Sequence, residues 1–194
     1  MTVRFVTGNE GKVEEAREYL AGVGEDVEQV EYDYTEVQSD DLAEIATRGA
    51  RDAFAELGGD EPVLVDDTGL FVEALGGFPG PYAAYVQDTL AVETIPELVA
   101  DADDRRAAFR TVVAYCGPGE DGPTVETFEG AVRGTIVEPR GEGGFGYDPV
   151  FEHGDATLAE MDTRQKNAIS HRGRALAKFA DWLAGEPAER KGPR

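Results

Sequence analysis

Val63-Leu64-Val65-Asp66-Asp67-Thr68-Gly69-Leu70-Phe71 joins an apolar run to two adjacent carboxylates and then turns apolar again. Residues 63–65 read as a short buried strand, preceded by the turn Gly58-Gly59-Asp60-Glu61-Pro62. The strand is expected to end at Asp66 and Asp67, which puts negative charge at the carboxyl edge of a sheet. In open α/β sheets that edge is where ligands sit. Two anions side by side repel, so the pair calls for a cation or a proton to offset it. A solvated acidic turn is the plain alternative in a chain this acidic.

The flanks supply the rest of the sheet. Residues 2–7 read as a first strand that ends in Gly8-Asn9-Glu10-Gly11, and residues 12–20 as a helix with Val13, Ala16 and Leu20 inward. Residues 27–34 alternate apolar and charged side chains, as a second strand does. Leu42, Ile45, Ala46, Ala50, Ala53, Phe54 and Leu57 form one helical stripe. Beyond the opening stretch come a Gly/Pro-rich loop at 76–82 and helices to residue 99. Strands follow at 106–115 and 124–136, the second with a break expected at Gly130. A Gly-rich loop at 141–149 leads to the short run Val150-Phe151. Residues 170–183 read as a last helix, capped by Ser170 with Leu176, Phe179, Ala180 and Leu183 inward. This order predicts an α/β fold with a mixed sheet, one domain over residues 1–185 and a polar, frayed tail over 186–194.

Composition narrows the function. The chain has 194 residues and a formal net charge of -22, with 41% hydrophobic residues. The acids interleave with ordinary apolar periodicity, so a folded chain is expected despite the charge. Lysine occurs only at Lys12, Lys166, Lys178 and Lys191, and arginine carries most of the positive charge. Nonspecific nucleic-acid binding is disfavoured, because phosphate contacts need Lys and Arg. No apolar run approaches the roughly 18 residues of a membrane span, and the first residues do not read as a signal peptide. The single Cys116 excludes an internal disulfide framework. A cytoplasmic protein is expected, from a halophilic source whose high salt screens the repulsion.

Four segments carry candidate chemistry. Thr7-Gly8-Asn9-Glu10-Gly11-Lys12 sits at a strand-to-helix junction, where glycines and helix-start amides can receive a phosphate and Lys12 adds charge. Its spacing is not that of a Walker A loop. Glu36, Asp66 and Asp67 form an acidic set; Glu36 also follows a predicted strand end, so all three could meet at one sheet edge. Mg²⁺ prefers such oxygen ligands, and a carboxylate beside it could take a proton from an attacking water. Phe145-Gly146-Tyr147-Asp148 offers an aromatic to stack on a nucleobase and an acid to accept from it, or else aromatics that plug the core. Lys166 and Ser170-His171-Arg172 gather rare positive charge at a predicted helix start. Ser170 and His171 are neighbours that point apart, so no Ser-His-Asp triad is expected. Neither His153 nor His171 has the company a zinc site needs.

In this order the segments resemble the noncanonical purine NTP pyrophosphatases, the inosine triphosphatase (Ham1-like) family. The resemblance runs from Phe5 to about Leu183 and rests on Thr7-Gly8-Asn9-Glu10-Gly11-Lys12, Asp66-Asp67-Thr68-Gly69-Leu70-Phe71, Ala74-Leu75-Gly76-Gly77-Phe78-Pro79-Gly80-Pro81-Tyr82, Gly143-Gly144-Phe145-Gly146-Tyr147-Asp148-Pro149 and Lys166-Asn167-Ala168-Ile169-Ser170-His171-Arg172. It implies an elongated central sheet flanked by helices, two lobes with the active-site cleft between them, and a homodimer. It implies hydrolysis of ITP, dITP or XTP to the monophosphate and pyrophosphate with Mg²⁺. By the same resemblance Thr7, Asn9 and Lys12 would hold the triphosphate, in a substrate-binding loop that includes Gly8, Glu10 and Gly11. Glu36 and Asp67 would bind Mg²⁺, Asp67 would accept the proton, Asp66 would be an auxiliary acid that also serves as a metal ligand, and Thr68 would touch substrate. Phe145, Gly146, Tyr147 and Asp148 would hold the base and sugar. Lys166, His171 and Arg172 would recognise the base. Gly49 departs from the pattern: many members carry a lysine there, which leaves Arg48 or Arg51 to replace its charge. The Maf-like pyrophosphatases, which act on pyrimidine or modified nucleotides, are a rival that the Ser170-His171-Arg172 and Gly144-Phe145-Gly146-Tyr147-Asp148 segments disfavour.

Overall fold

The computed structural model describes residues 2–33, 35 and 37–185. The tail expected at 186–194, Glu36, Tyr34 and Met1 lie outside the described residues. In chain order the elements are β1 (Thr2–Val6), α1 (Glu10–Ala21), β2 (Asp26–Val30), α2 (Leu42–Glu56), β3 (Val63–Val72), β4 (Pro79–Gly80), α3 (Ala83–Thr89), α4 (Thr94–Leu98), β5 (Arg106–Gly117), β6 (Thr124–Ile136), β7 (Phe151–His153), β8 (Ala156–Thr157), α5 (Thr163–Ile169) and α6 (His171–Leu183). One mixed, open sheet runs β2-β1-β3-β5-β6-β7-β8, with β4 paired to β3. No described helix is long and apolar enough to cross a membrane.

β3 corrects the reading of the opening stretch. It does not stop at Asp66 but continues to Val72, because β5 pairs with it residue for residue from Val63↔Cys116 to Val72↔Ala107. Aspartate and glycine are poor strand formers, and the long apolar partner overrides that preference. The other edge of β3 is discontinuous. β1 covers it only at Val63 and Leu64, and β4 only at Leu70 and Phe71. Among the described residues, 65–69 are therefore paired on one side alone, and this gap faces the loop that follows β1. The negative charge lies at the carboxyl end of β1, in the middle of β3.

Strand geometry also separates the two acids. Successive side chains of a strand point to opposite faces. Leu64, Val113 and Tyr115 join Val13, Leu20, Leu176 and Phe179 in a core under α1 and α6. Val63, Val65, Val112 and Cys116 join Ala46, Ala50 and Phe54 in a core under α2. Asp66 and Thr68 share the parity of Leu64, and Asp67 that of Val65. The repulsion anticipated between adjacent carboxylates is thus relieved by the backbone between them. A third core, around Leu70, Val86, Ile95, Val132, Ile136 and Phe151, fills the far end of the sheet.

Three further elements depart from expectation. β2 ends at Val30, where all five of its residues pair with the five of β1, and residues 31–33 are not strand; the expected end at Tyr34 lies outside the described residues. β6 is unbroken at Gly130, which pairs with Thr111. A Cβ there would run into the backbone oxygen of His171 and the Ala175 nitrogen, so this glycine lets α6 lie against the sheet. α5 was not anticipated; it is short and lacks buried residues, but Asp162 and Gln165 form a capping box at its start.

Candidate active site

A polar cavity of about 450 Å³ opens at the gap in the sheet, lined by Val6, Thr7, Gly8, Lys12, Tyr32, Asp33 and Asp66. Its floor is an ion cluster. Lys12 Nζ donates to Asp66 Oδ1 at 2.7 Å, and Arg172 Nε donates to Asp66 Oδ2 at 2.7 Å. The Asp66 side chain is 1% exposed. Burial pushes its carboxyl up, but the charges and hydrogen bonds of Lys12 and Arg172 outweigh burial and hold it down at about 2. Arg172 reaches on to Glu15 at 3.2 Å, and Ser170 Oγ donates to the same carboxylate. Asn9 caps α1 by accepting from the Lys12 amide at 3.3 Å, which fixes where Lys12 leaves the helix. Thr7 Oγ1 accepts from the Asn9 amide, and Glu10 and Gly11 lie exposed in the first turn.

On the same face runs a chain of three side chains. Thr68 Oγ1 and Thr111 Oγ1 are 2.7 Å apart, and Thr111 Oγ1 and His171 Nδ1 are 2.6 Å apart. The His171 ring stacks on Phe109 with centroids 5.4 Å apart. Burial and then the charge of Arg172 push its imidazole down to about 3, with Lys12 and Arg174 adding to the shift and Asp66 opposing it. It is a neutral imidazole near neutral pH. Asp67 is half-buried and accepts the Thr68 amide at 3.0 Å on Oδ1. His171 thus turns to Thr111, while Ser170 and Arg172 meet on Glu15 and Arg172 alone goes on to Asp66.

The Gly-rich loop divides its two aromatics. Phe145 is 80% exposed at the tip, whereas Tyr147 is buried and donates its hydroxyl to the Ala83 carbonyl at 2.8 Å. Burial, then the charge of Asp88, pushes the Tyr147 phenol up to about 12. Asp148 is buried too and turns back on its own loop. Its Oδ2 accepts from the Phe145 amide at 3.0 Å and from Lys166 Nζ at 2.5 Å. Gly144, at φ +75°, has no room for a Cβ against that carboxylate. Lys166 Nζ also lies 5.3 Å from the centre of the Phe145 ring. Tyr147 is therefore an anchor, Asp148 a brace, and Phe145 the exposed member of the loop.

The model of the Ham1 family matches residues 3–182. The chain belongs to the Ham1 family. It is 52% identical to the dITP/XTP pyrophosphatase of Methanopyrus kandleri, over 98% of this chain and 100% of that one. It is 50% identical to the protein of the same name from Thermococcus kodakarensis, over 94% of this chain and 97% of the relative. The Ham1 protein of Staphylococcus aureus superposes with a TM-score of 0.84 at 31% identity, over 96% of this chain and all of the other.

In this Ham1 chain neither Arg48 nor Arg51 lines the cavity. Arg48 pairs with Glu44 on the exposed side of α2, at 2.8 Å. Arg51 acts on the buried thiol of Cys116, which lies opposite Val63 at the far end of β3 from Thr68. Glu36 lies outside the described residues. Among the described residues no three His, Cys, Asp or Glu side chains gather as a metal cluster. Sequence reasoning missed Glu15, Asp33 and Thr111. Thr111 carried a signal: it is a hydroxyl on the strand face that also holds Phe109, Val113 and Tyr115. Glu15 and Asp33 carried none in so acidic a chain.

Proposed function

We propose that the protein is a nucleoside-triphosphate pyrophosphatase that hydrolyses ITP, dITP and XTP to the monophosphate and pyrophosphate, and so clears deaminated purines from the nucleotide pool. One geometric observation supports it most: the rare cations Lys12 and Arg172 converge on one buried carboxylate at the floor of a polar cavity of about 450 Å³. The pyrophosphatase names of the Methanopyrus and Thermococcus relatives point the same way.

The residues divide the work. Thr7, Gly8 and the first turn of α1 would receive the triphosphate, with Lys12 supplying positive charge. Asp66 would hold Lys12 and Arg172 in place rather than take a proton, since both its oxygens already accept from cations. Asp67, with Oδ1 on the Thr68 amide, would be the proton acceptor for the attacking water. Phe145 would stack on the purine beside Lys166, and His171 would face the 6-substituent. Hard carboxylate oxygens suit Mg²⁺, which usually takes one or two of them and completes its shell with phosphate and water. Asp67 and Glu36 would hold it, with Asp66 as a neighbour. Bound there, Mg²⁺ would neutralise phosphate charge and make the water more acidic.

The same reading makes the protein a cytoplasmic homodimer adapted to high salt. Phe78, Tyr82 and Tyr85 are exposed along β4 and α3, an apolar surface that a second copy could cover. The deciding experiment is pyrophosphate release from ITP, XTP, dITP, ATP, GTP, dUTP and TTP with Mg²⁺ in concentrated KCl. ITP, dITP and XTP should be turned over well ahead of the others. Equal rates on ATP and ITP, or a preference for a pyrimidine, would overturn the specificity. Light scattering at moderate protein concentration reads the dimer directly.

A further inference from the structure

We propose that Thr111, whose buried hydroxyl bridges Thr68 and His171, is a positioning residue that fixes which ring nitrogen of His171 carries the proton and thereby sets the preference for a 6-oxo purine. The inference rests on the function proposed above and goes beyond it, to a residue on β5 that no ligand need touch.

Three groups in the chain bring three protons: one on each hydroxyl and one on the neutral ring. Thr111 is fully buried, and among the described residues its hydroxyl has only Thr68 and His171 as partners. If Thr111 accepted from both, its own proton would be buried without a partner, which is costly. Two arrangements let the buried Thr111 hydroxyl both donate and accept. In the first, Thr68 donates to Thr111, Thr111 donates to His171 Nδ1, and the ring proton sits on Nε2. In the second, His171 Nδ1 donates to Thr111, Thr111 donates to Thr68, and Nε2 is a bare acceptor.

The substrate selects between them. A 6-oxo oxygen facing Nε2 needs a donor and fits the first arrangement. Adenine's 6-amino group needs an acceptor. To offer one, the ring proton must move from Nε2 to Nδ1 while both hydroxyls rotate. A free imidazole would exchange its proton through solvent and read either base. Here the stacked Phe109 ring and the buried Thr111 restrict it to the two concerted arrangements, so a base that needs Nε2 as an acceptor must turn the whole chain. The far end of the chain is Thr68, whose amide donates to Asp67. The identity of the base is thus linked to the strand that carries the proposed proton acceptor.

Thr111→Val keeps the shape and removes the hydroxyl. It should lower the ratio of kcat/KM for ITP over ATP about tenfold, while Thr111→Ser stays within about twofold of wild type. A ratio in Thr111→Val within about twofold of wild type overturns the proposal. A second readout is the ring ¹⁵N spectrum of labelled histidine, recorded without nucleotide and with IMP. The chain has two histidines, and His153 is a built-in reference of opposite sense, since its Nδ1 donates to the Arg133 carbonyl at 2.8 Å. Wild-type His171 with IMP should show the proton on Nε2, and Thr111→Val should show both tautomers with or without nucleotide. A proton on Nδ1 in the IMP complex, or a His171 spectrum unchanged by Thr111→Val, overturns it. If the valine variant does not fold, Thr111→Ser and Thr111→Ala differ by a single oxygen in the same cavity. Only the alanine variant should lose the preference; equal ratios overturn the inference. A wild type that releases no pyrophosphate from any 6-oxo purine triphosphate overturns the function instead, and the spectrum without nucleotide still tests Thr111.

Discussion

Asp66 and Asp67 are chemically identical and adjacent, yet they should respond differently to the same change. Asp66→Asn leaves Lys12 and Arg172 facing a neutral amide in a buried site, and breaking such a pair costs roughly 3–5 kcal/mol. Its unfolding midpoint in urea should fall sharply. Asp67→Asn should melt close to wild type and still bind ITP measurably, but release no pyrophosphate; a fully active Asp67→Asn would remove that residue from the chemistry. His171 and Asp66 also shape the acid limb of stability. Each binds its proton less readily in the folded chain than in the unfolded one, so each adds stability that is present above its unfolded pKa and lost as pH falls. For His171 the window runs from 6.5 down to about 3, and for Asp66 from 3.8 down to about 2. Unfolding free energy should therefore decline from about pH 6.5 downward, and His171→Gln should flatten the upper part of that decline. An unchanged slope in the variant would show that the imidazole is not held neutral.

At the scale of elements, periodicity predicted most of what formed. Val13, Ala16 and Leu20 are the buried face of α1, and Ser170 caps α6 through the Gly173 amide, both as their spacing predicts. The extent of β3 was not legible, because Asp66, Asp67 and Gly69 look like a turn until β5 is known to run beside them. Nor was the true role of Gly130, whose reason lies in α6, more than forty residues later in the chain. Gly130→Ala tests that reason. The methyl group should push α6 off the sheet and cost about 1–3 kcal/mol in denaturant unfolding, with loss of activity as Arg172 and His171 withdraw with the helix. A variant as stable as wild type would mean that β6 can shift without disturbing α6. The loop at 141–149 was half legible: its composition indicates a ligand loop or a core plug, and of its two aromatics Tyr147 is the plug while Phe145 stands exposed.

Over the whole molecule, charge and site work against each other. A net charge of -22 repels the triphosphate at long range, and the described cavity sets Lys12 against Asp33 and Asp66. Dissolved salt shortens the reach of that repulsion to a few ångströms at molar concentration, while the buried pairs to Asp66 are screened far less. Thermal stability should therefore fall as KCl is withdrawn, and KM for ITP should rise. A melting temperature in low salt equal to that in molar KCl would count against adaptation to salt. The fold class was readable from strand and helix order alone. The assembly of the site was not, because its partners are far apart in the chain.

That separation has a consequence for the protein's birth. Arg172 lies 106 residues after Asp66, and Ser170 lies 155 residues after Glu15. A ribosome adding about 5–20 residues per second makes the carboxylate roughly 5–20 s before the guanidinium that neutralises half of its surroundings. Of the two cations that pair with Asp66 in the folded chain, Lys12 alone has been made during that interval, and the emerging β1, α1 and β3 carry an acid that is only half balanced on their buried face. The N-terminal half can collapse early, but the ion cluster on Asp66 is completed only when Arg172 and the last helix are released. A nascent chain arrested before α6 should be compact, open to protease at the Asp66 strand, and unable to bind nucleotide.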